Sequence, residues 1–437
     1  EFTFRRDGSS TFGEGNRWAN FPSVAVGWSF SEEPFIKRLT GGWLNWGKIR
    51  GSYGKSGQTF TSAYLAHGLM NIMDKSFFGK TGITTDKPVS PYLTWEKTRQ
   101  YDLGLDMDMF NYRLNVKLDY YYKYTSSLIY DIPIPGSLYA FGAQVENAME
   151  ISNEGLELEL QADILRESAV SWRMKFNMAR NWNRFEKSYS GKDVVDGDGT
   201  LLVVGRPLNG LYVWAHRGYY NSDAEVPRLY KIDGQEIYFN GVATNGISGA
   251  VGDYRLLDLD GDGNPDSYYA GSPLPLAHGG WVNELMWKNF DLNVLVNFTI
   301  GRKMINNRMG LGFSRQSEDG HLTKLFDYRK LRPWDGVNKK PNAPAWGNSL
   351  SMNTDSAIEK VHHLALKQIT LGYNLPDRIS KKAGLSGVRF FLTAENLFYL
   401  SNYSGGNPEV VNIYTGRDNG DTYPLPRKYT LGLTLNF

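Results

Sequence analysis

The sequence predicts an all-β protein, a transmembrane antiparallel β-barrel, and three observations carry that reading. Apolar residues alternate with polar ones along many long segments, the mark of strands with two unlike faces. The connections between segments alternate between short turns and long polar loops, as in outer-membrane barrels with short periplasmic turns and longer extracellular loops. Several segments carry charge along the whole of one face, so that face is wet while its opposite is apolar.

Composition narrows the class. A chain of 437 residues is long enough for a large fold or several domains. No run of 18 apolar residues occurs, which excludes a transmembrane helix but not barrel strands, whose hydropathy averages out. A net charge of +2 gives no global field that would point to nucleic acid or an acidic partner. The absence of cysteine excludes disulfides and thiolate metal sites. The N-terminal EFTFRRDGSS has no signal-peptide pattern. Phe2 and Phe4 read as a strand end running into a polar loop, so the chain is expected to be a fragment of something longer.

Taken in order, Val24, Val26, Trp28 and Phe30 give the next apolar face, and Lys48 to Tyr53 continues the style. Residues 56 to 94 read as a long loop rich in Gly, Ser, Thr and Pro. The clearest hairpin follows. Tyr101, Leu103, Leu105, Met107 and Met109 alternate with Asp102, Gly104, Asp106 and Asp108. After a short turn near Asn111, Leu114, Val116, Leu118, Tyr120, Tyr122 and Tyr124 alternate with Asn115, Lys117, Asp119, Tyr121 and Lys123. Both strands exceed the roughly 9–11 residues that cross a bilayer at barrel tilt. Their tyrosines gather away from the turn, where an interfacial girdle belongs.

Leu156, Leu158, Leu160 and Ala162 then oppose Glu157, Glu159, Gln161 and Asp163, and Trp172, Met174, Phe176 and Met178 oppose Arg173, Lys175 and Asn177. A long polar region from about Phe185 to Gly280 holds strand-like pieces at Leu211–Tyr220 and Arg228–Phe239. Leu285–Trp287, a Lys288-Asn289 turn and Phe290 to Ile300 make another hairpin. A second long loop, 302 to 356, precedes Ile369, Leu371, Tyr373 and Leu375. A turn around Gly384–Gly387, the strand from Val388 to Ala394, and a third loop, 399 to 424, lead to the last strand. There Tyr429, Leu431, Leu433, Leu435 and Phe437 form one apolar face. The total is roughly 12–14 long strands, without the shorter strands of a sandwich or the repeat of a propeller.

Ordered local motifs then resemble one family. Arg6-Asp7-Gly8-Ser9-Ser10, Asn16-Arg17-Trp18, Phe21-Pro22-Ser23 and Gly27-Trp28 with Ser31-Glu32-Glu33 are similar to segments of SusC-like (RagA-like) TonB-dependent outer-membrane transporters of Bacteroidetes. So are Ile49 to Gly54, Trp95-Glu96-Lys97-Thr98, Asn153 to Glu157, Asp258 to Gly263, Pro341-Asn342-Ala343, Asn407-Pro408-Glu409 and Tyr423 to Arg427. Asp260 stands where the family usually has Asn. The resemblance spans essentially the whole chain. It implies that residues 1–437 are the C-terminal part of a plugged 22-stranded barrel. The N-terminal plug, the TonB-contacting segment and the first strands have no counterpart here. It also implies a SusD-like surface lipoprotein as lid, TonB as energy source acting through the plug-bearing part, and import of oligosaccharides or peptides. The terminal strand, with Tyr429, Leu431, Leu433, Leu435 and Phe437, is then expected to serve as the assembly signal.

Two rivals compete: a passive porin-like barrel, and a soluble β-rich protein that binds or cleaves glycans. The charged faces argue against the second, since a soluble protein would bury the apolar face in a dry core.

Candidate sites lie in the long loops. Asp258, Asp260, Asp262, Asn264 and Asp266 alternate around a glycine turn, as hard cations such as Ca²⁺ or Mg²⁺ require. The twelfth position is Tyr269 rather than Glu, which excludes an EF-hand proper, and the plainer reading is a polar turn. Asp196-Gly197-Asp198-Gly199 is a weaker echo. Glu157 and Glu159 have the spacing of a carboxylate pair, but a hydrated wall uses the same spacing, so no catalytic residue is assigned. Gly54-Lys55-Ser56 lacks the glycine of a P-loop, and the six histidines fit no zinc spacing. Among loop aromatics, Tyr92, Trp214, Tyr219, Trp334, Trp346 and Tyr403, with Tyr64, are candidates to contact substrate or lid, because flat rings beside polar groups suit sugars and peptides. The plainer reading of each is packing within its own loop.

Overall fold

The computed structural model describes the chain except for residues 60–65, 67–69, 86–87, 140–141, 167, 196–200, 227, 231–235, 239–250, 260–265, 308–331, 338–339, 346–353, 383 and 421. Antiparallel strands dominate, and no helix among the described residues is long and apolar enough to cross a membrane. The main sheet contains 13 strands. Its continuous path runs in chain order from β1 (Phe2–Gly8), β2 (Trp18–Trp28), β3 (Leu44–Gln58) and β4 (Glu96–Met109) to β5 (Leu114–Pro133) and β6 (Ala143–Leu165). It continues through β7 (Val170–Lys187), β8 (Ala277–Trp287), β9 (Phe290–Asn306), β10 (Ile358–Asn374) and β11 (Gly387–Ser401) to β12 (Lys428–Asn436). The remaining strand, Arg417–Asp418, lies parallel to the end of β9. Along the path each strand pairs with the next of these twelve in chain order, the shorter loop strands standing off it, so the wall is an up-and-down meander.

Register turns the sequence alternation into two surfaces. On one, Leu105, Leu118, Leu158 and Met178 stand side by side across β4–β7. Leu285, Leu292, Leu371, Leu392 and Leu431 form an equivalent row across β8–β12. These side chains face outward without cover: Leu371, Leu392 and Leu431 are 47%, 48% and 81% exposed. An apolar band of this extent exceeds what soluble monomers leave in water. Lipid is the solvent that fits it.

The other surface is a ladder of charge. Arg50 reaches Asp106 at 3.0 Å and Asp119 at 2.5 Å, Arg173 reaches Asp163 at 2.6 Å, Lys175 reaches Glu284 at 2.8 Å and Arg389 reaches Asp291 at 2.5 Å. Each pair joins neighbouring or next-neighbouring strands, so the ladder cross-links the wall on its wet side.

Both rims are aromatic. Away from the short turns, Tyr53 packs on Tyr101 at 4.8 Å, and the Tyr120 hydroxyl donates to Glu154 at 3.1 Å. At the short-turn end, Phe290 packs on Trp287 and Tyr373 at 6.2 and 4.7 Å. The turns there are tight. Phe110, Asn111 and Tyr112 all take positive φ between β4 and β5, and Lys288 does so between β8 and β9.

Two connections on this side contain helices that the sequence reading did not anticipate, α1 (Pro34–Thr40) and α2 (Asp377–Lys382). The signals for α1 are present in the chain: Pro34 opens it and Gly41 closes it with φ 54°. The helix is too short to show a period.

The strands also run further than their strongest alternation. β6 starts at Ala143, thirteen residues before Leu156, because pairing with β5 and β7 continues beyond the membrane. Loop residues cover one face there, Val145 joining Phe12, Leu93 and Trp95 and Met149 joining Phe185, Val194 and Leu202, and the chain signals it by setting Val145, Met149 and Ile151 against Glu146 and Glu150. Likewise, the stretch 56–94 contains a hairpin, Met70–Phe77 with Lys80–Thr85, and is not loop throughout.

Candidate functional site

Above the wall, segments distant in sequence assemble one aromatic platform. Leu211–Trp214 pairs with Ser267–Gly271, and His216–Tyr219 pairs with Tyr254–Leu256. Val213 and Ala270 bury against Ile305 of β9, with Ala357 and Ile358 completing the contact. This contact seats the platform on the tops of β9 and β10, and a parallel bridge from Trp214 to Thr354 adds a second tie.

The rings follow from that frame. Tyr219 stacks on Tyr254 with centroids 5.3 Å apart, and the ring of His216 meets Tyr254 edge-on at 4.8 Å. Nδ1 of His216 contacts the Asp355 carboxylate, whose other oxygen accepts the Tyr268 hydroxyl at 3.2 Å. Ser356 donates to the Tyr254 hydroxyl oxygen at 3.1 Å. The indole N–H of Trp334 donates to Asn221 Oδ1 at 3.2 Å, and the Asn221 amide donates to the Tyr219 carbonyl at 3.2 Å. The Trp334 ring lies over Gly252, which has φ +87° and where a Cβ would fall 2.7 Å from the indole. Burial raises the Tyr219 phenol above its ordinary range, with Tyr254 adding to the effect, and burial pushes Tyr212 up to about 12. These phenols stay neutral, so the aromatic part of the platform offers ring faces and hydroxyls, beside an Asp355 carboxylate engaged by His216 and Tyr268.

Three of the six candidate aromatics, Trp214, Tyr219 and Trp334, therefore belong to one assembly. Tyr92 stands apart at 88% exposed, and its carbonyl accepts from the Asn16 amide at 3.1 Å. Tyr403 is 8% exposed, packs with Met304, Val361 and Val411, and donates its hydroxyl to Asp418 at 2.8 Å. Its ring is spent on packing its loop against β9 and β10. Trp346 and Tyr64 lie outside the described residues, as do Asp260, Asp262, Asn264 and the Asp196–Gly199 echo. The flanking Asp266 closes its turn by accepting from the Leu259 amide at 2.5 Å. Among the described residues, no three acidic or histidine side chains are placed to hold a metal. The terminal face from Tyr429 to Phe437 lies exposed on β12, paired to β11 from Val388 to Ala394.

On the wet face, a recess of about 520 Å³ opens across β7, β8 and β9. It is lined by Lys175, Asn177, His278, Asn297, Thr299, His363 and Glu409 among others. Glu409 belongs to the loop after β11, and its position depends on a residue that sequence reasoning missed. Buried Arg302 donates to four carbonyls: Pro273 at 3.1 Å, Pro408 at 3.2 Å, Val411 at 2.9 Å and Asn412 at 2.6 Å. Lys367 then reaches Glu409 at 3.3 Å. The available signal was the break in alternation at Gly301-Arg302-Lys303, where pairing with β10 also skips.

A two-faced meander with long loops on one side is the architecture of TonB-dependent receptors, and the profile described as "TonB dependent receptor-like, beta-barrel" matches residues 2–268. The chain belongs to this family. It is 31% identical to TonB-dependent receptor P26 of Formosa agariphila, over 99% of this chain and 44% of that protein. It is 28% identical to TonB-dependent receptor SusC of Bacteroides thetaiotaomicron, over 100% of this chain and 42% of that one. The solved structure of the RagAB peptide transporter superposes with a TM-score of 0.78 at 24% identity, covering 100% of this chain and 45% of the other. This TonB-dependent receptor chain thus spans a little under half the length of the relatives it matches, and its wall is that of a SusC-like and RagA-like outer-membrane β-barrel.

Proposed function

We propose that this chain is the C-terminal wall of a TonB-dependent transporter that imports oligosaccharides or peptides across the outer membrane. The observation that carries the reading is the pairing of an exposed apolar band with a charged, hydrated opposite face on one continuous meander. Such a wall separates lipid from an aqueous lumen and offers the lumen polar contacts. It supplies a conduit and a binding surface, not a catalytic centre. In this proposal a plug-bearing N-terminal part couples the barrel to TonB, and a SusD-like lipoprotein closes the extracellular mouth. The platform of Trp214, Tyr219 and Trp334 supplies ring faces to substrate or lid, as Tyr92 does from its own loop. A Ca²⁺ or Mg²⁺ ion in the loop from Asp258 to Asp266 would stiffen it without taking part in transport. The names SusC and RagAB peptide transporter among similar proteins support the class.

The test is purification of the full-length transporter from its own membranes, with mass spectrometry of what accompanies it and uptake by cells with and without TonB. Co-purification of a lipoprotein, with TonB-dependent uptake of an oligosaccharide or peptide, is the expected result. Uptake that persists without TonB would assign a passive pore instead.

A further inference from the structure

We infer that the short-turn rim of this barrel is a binding surface for anionic phospholipid, built on α1 and α2. The proposal rests on the membrane placement of the wall and not on the transported substrate.

The connection that holds α1 folds back against the lipid-facing side. Gly47 is paired with Met107, in the apolar row of β4. The ring of Phe30 covers it so closely that a Cβ would fall 2.5 Å away. Trp28, also on the apolar face, packs on Phe30 at 6.1 Å and donates its indole N–H to Glu33 at 3.1 Å. These contacts bring α1 to the outer rim of the band.

There Phe35 and Leu39 are 60% and 82% exposed. Four residues apart, they share one helical face. That face has no protein cover, and it continues the band that faces lipid. Lys37 and Arg38 flank it. Lys37 is held by Glu32 at 2.9 Å, whereas Arg38 has no acidic partner among the described residues. The second helix of this rim has a similar composition. In α2, Ile379 is 52% exposed between Arg378 on one side and Lys381 and Lys382 on the other. None of these three cations has an acidic partner among the described residues.

Apolar side chains with flanking cations are the composition of helices that lie in a bilayer interface. Short turns mark the periplasmic side, whose leaflet is phospholipid. Unpartnered guanidinium and ammonium groups at headgroup depth fit phosphodiesters of net negative charge, and a zwitterionic headgroup offers them less.

The experiment uses the full-length transporter, delipidated in detergent and exposed to equimolar phosphatidylglycerol and phosphatidylcholine, with retained lipid counted by native mass spectrometry. Wild type should retain phosphatidylglycerol in preference by roughly tenfold, the order that a few near-surface cations supply. The combined variant Arg38→Gln, Arg378→Gln, Lys381→Gln and Lys382→Gln should bring the ratio close to one. Phe35→Ser with Leu39→Ser should lower retention of both lipids. Unchanged heat-modifiable migration on gels certifies that each variant is folded. Equal retention by wild type, or a preference that survives the combined variant, would overturn the proposal. So would a variant that keeps its lipid preference but loses binding of purified TonB periplasmic domain, which would assign the rim to a protein partner.

Discussion

The guanidinium of Arg50 lies flat over Gly104, its cross-strand partner, where a Cβ would come within 2.4 Å of the Arg50 Cζ. Because that position is empty, Arg50 reaches past β4 to hold Asp106 and Asp119 together. Gly155 serves Tyr121 in the same way, with a Cβ position 2.4 Å from the ring. Replacing Gly104 by Val should displace Arg50, break both ion pairs and destabilise the wall by about 1–3 kcal/mol through overpacking. The heat-induced unfolding midpoint of the full-length barrel checks this. The double change Gly104→Val with Arg50→Ala should recover part of the loss.

Arg302 should matter more than any surface ion pair. Arg302→Met takes the guanidinium donor from the Pro273 and Val411 carbonyls and leaves Pro408 and Asn412 with only their backbone donors, Val411 N–H and Gly416 N–H, at a cost of about 3–5 kcal/mol. The loop carrying Pro408 to Asn412 should open first. Hydrogen exchange and limited proteolysis across residues 402–427 read this directly, and protection in that loop equal to wild type would show that Arg302 does not pin it.

Much of this wall was legible because barrel strands must alternate wherever one face meets lipid and the other water. Leu105 against Asp106, or Leu158 against Glu159, announces both surfaces in two residues. The extension of β6 back to Ala143 keeps a weaker alternation, Val145, Met149 and Ile151 against Glu146 and Glu150, whereas the tie from Trp214 to Thr354 left no pattern to read. The platform was legible only as aromatic residues in loops. Sequence could not say that Trp214, Tyr219 and Trp334 belong to one platform, since Trp334 reaches Asn221 across more than a hundred residues, nor that Tyr403 turns inward to Asp418. For Arg302 the sequence shows only the break in alternation at Gly301-Arg302-Lys303, because its partners are backbone carbonyls, which carry no residue signature.

The platform makes an alkaline prediction. Tyr212 has an ordinary phenol value of 10.0 and is pushed up to about 12 by burial. A raised folded-state value gives stability that is fully present below pH 10 and is lost as pH rises through about 12. Tyrosinate absorbance should therefore lag behind that of free tyrosine, and loss of loop protection should accompany the late phase. Tyr212→Phe should remove one late-titrating phenol.

Tyr219→Ala removes the stack on Tyr254, costing about 2–4 kcal/mol locally, while the backbone carbonyl that accepts from Asn221 is kept. The wall itself should stay folded. If the platform serves ligand or lid, Tyr219→Ala and Trp334→Ala should each weaken that binding at least tenfold, whereas Tyr403→Phe should act only through loop stability.

The acidic loop is tested by calorimetric Ca²⁺ titration of the full-length protein. One saturable site is expected, lost in Asp260→Asn with Asp262→Asn. Absence of heat in the wild-type protein would leave Asp258 to Asp266 as a polar turn.

The central claim is that one face of the meander meets lipid and the other water, and no native cysteine of these 437 residues competes with labels placed on the strands. Single cysteines are placed along β5 from position 114 to 121 in the full-length transporter in bilayer nanodiscs. Each is read by a water-soluble maleimide and, after labelling with an environment-sensitive dye, by quenching from brominated lipid. Positions 115, 117 and 119 should react with the maleimide, and positions 114, 116 and 118 should be quenched by lipid, in strict alternation. Equal reactivity on both faces, or no lipid quenching at position 118, would contradict the account.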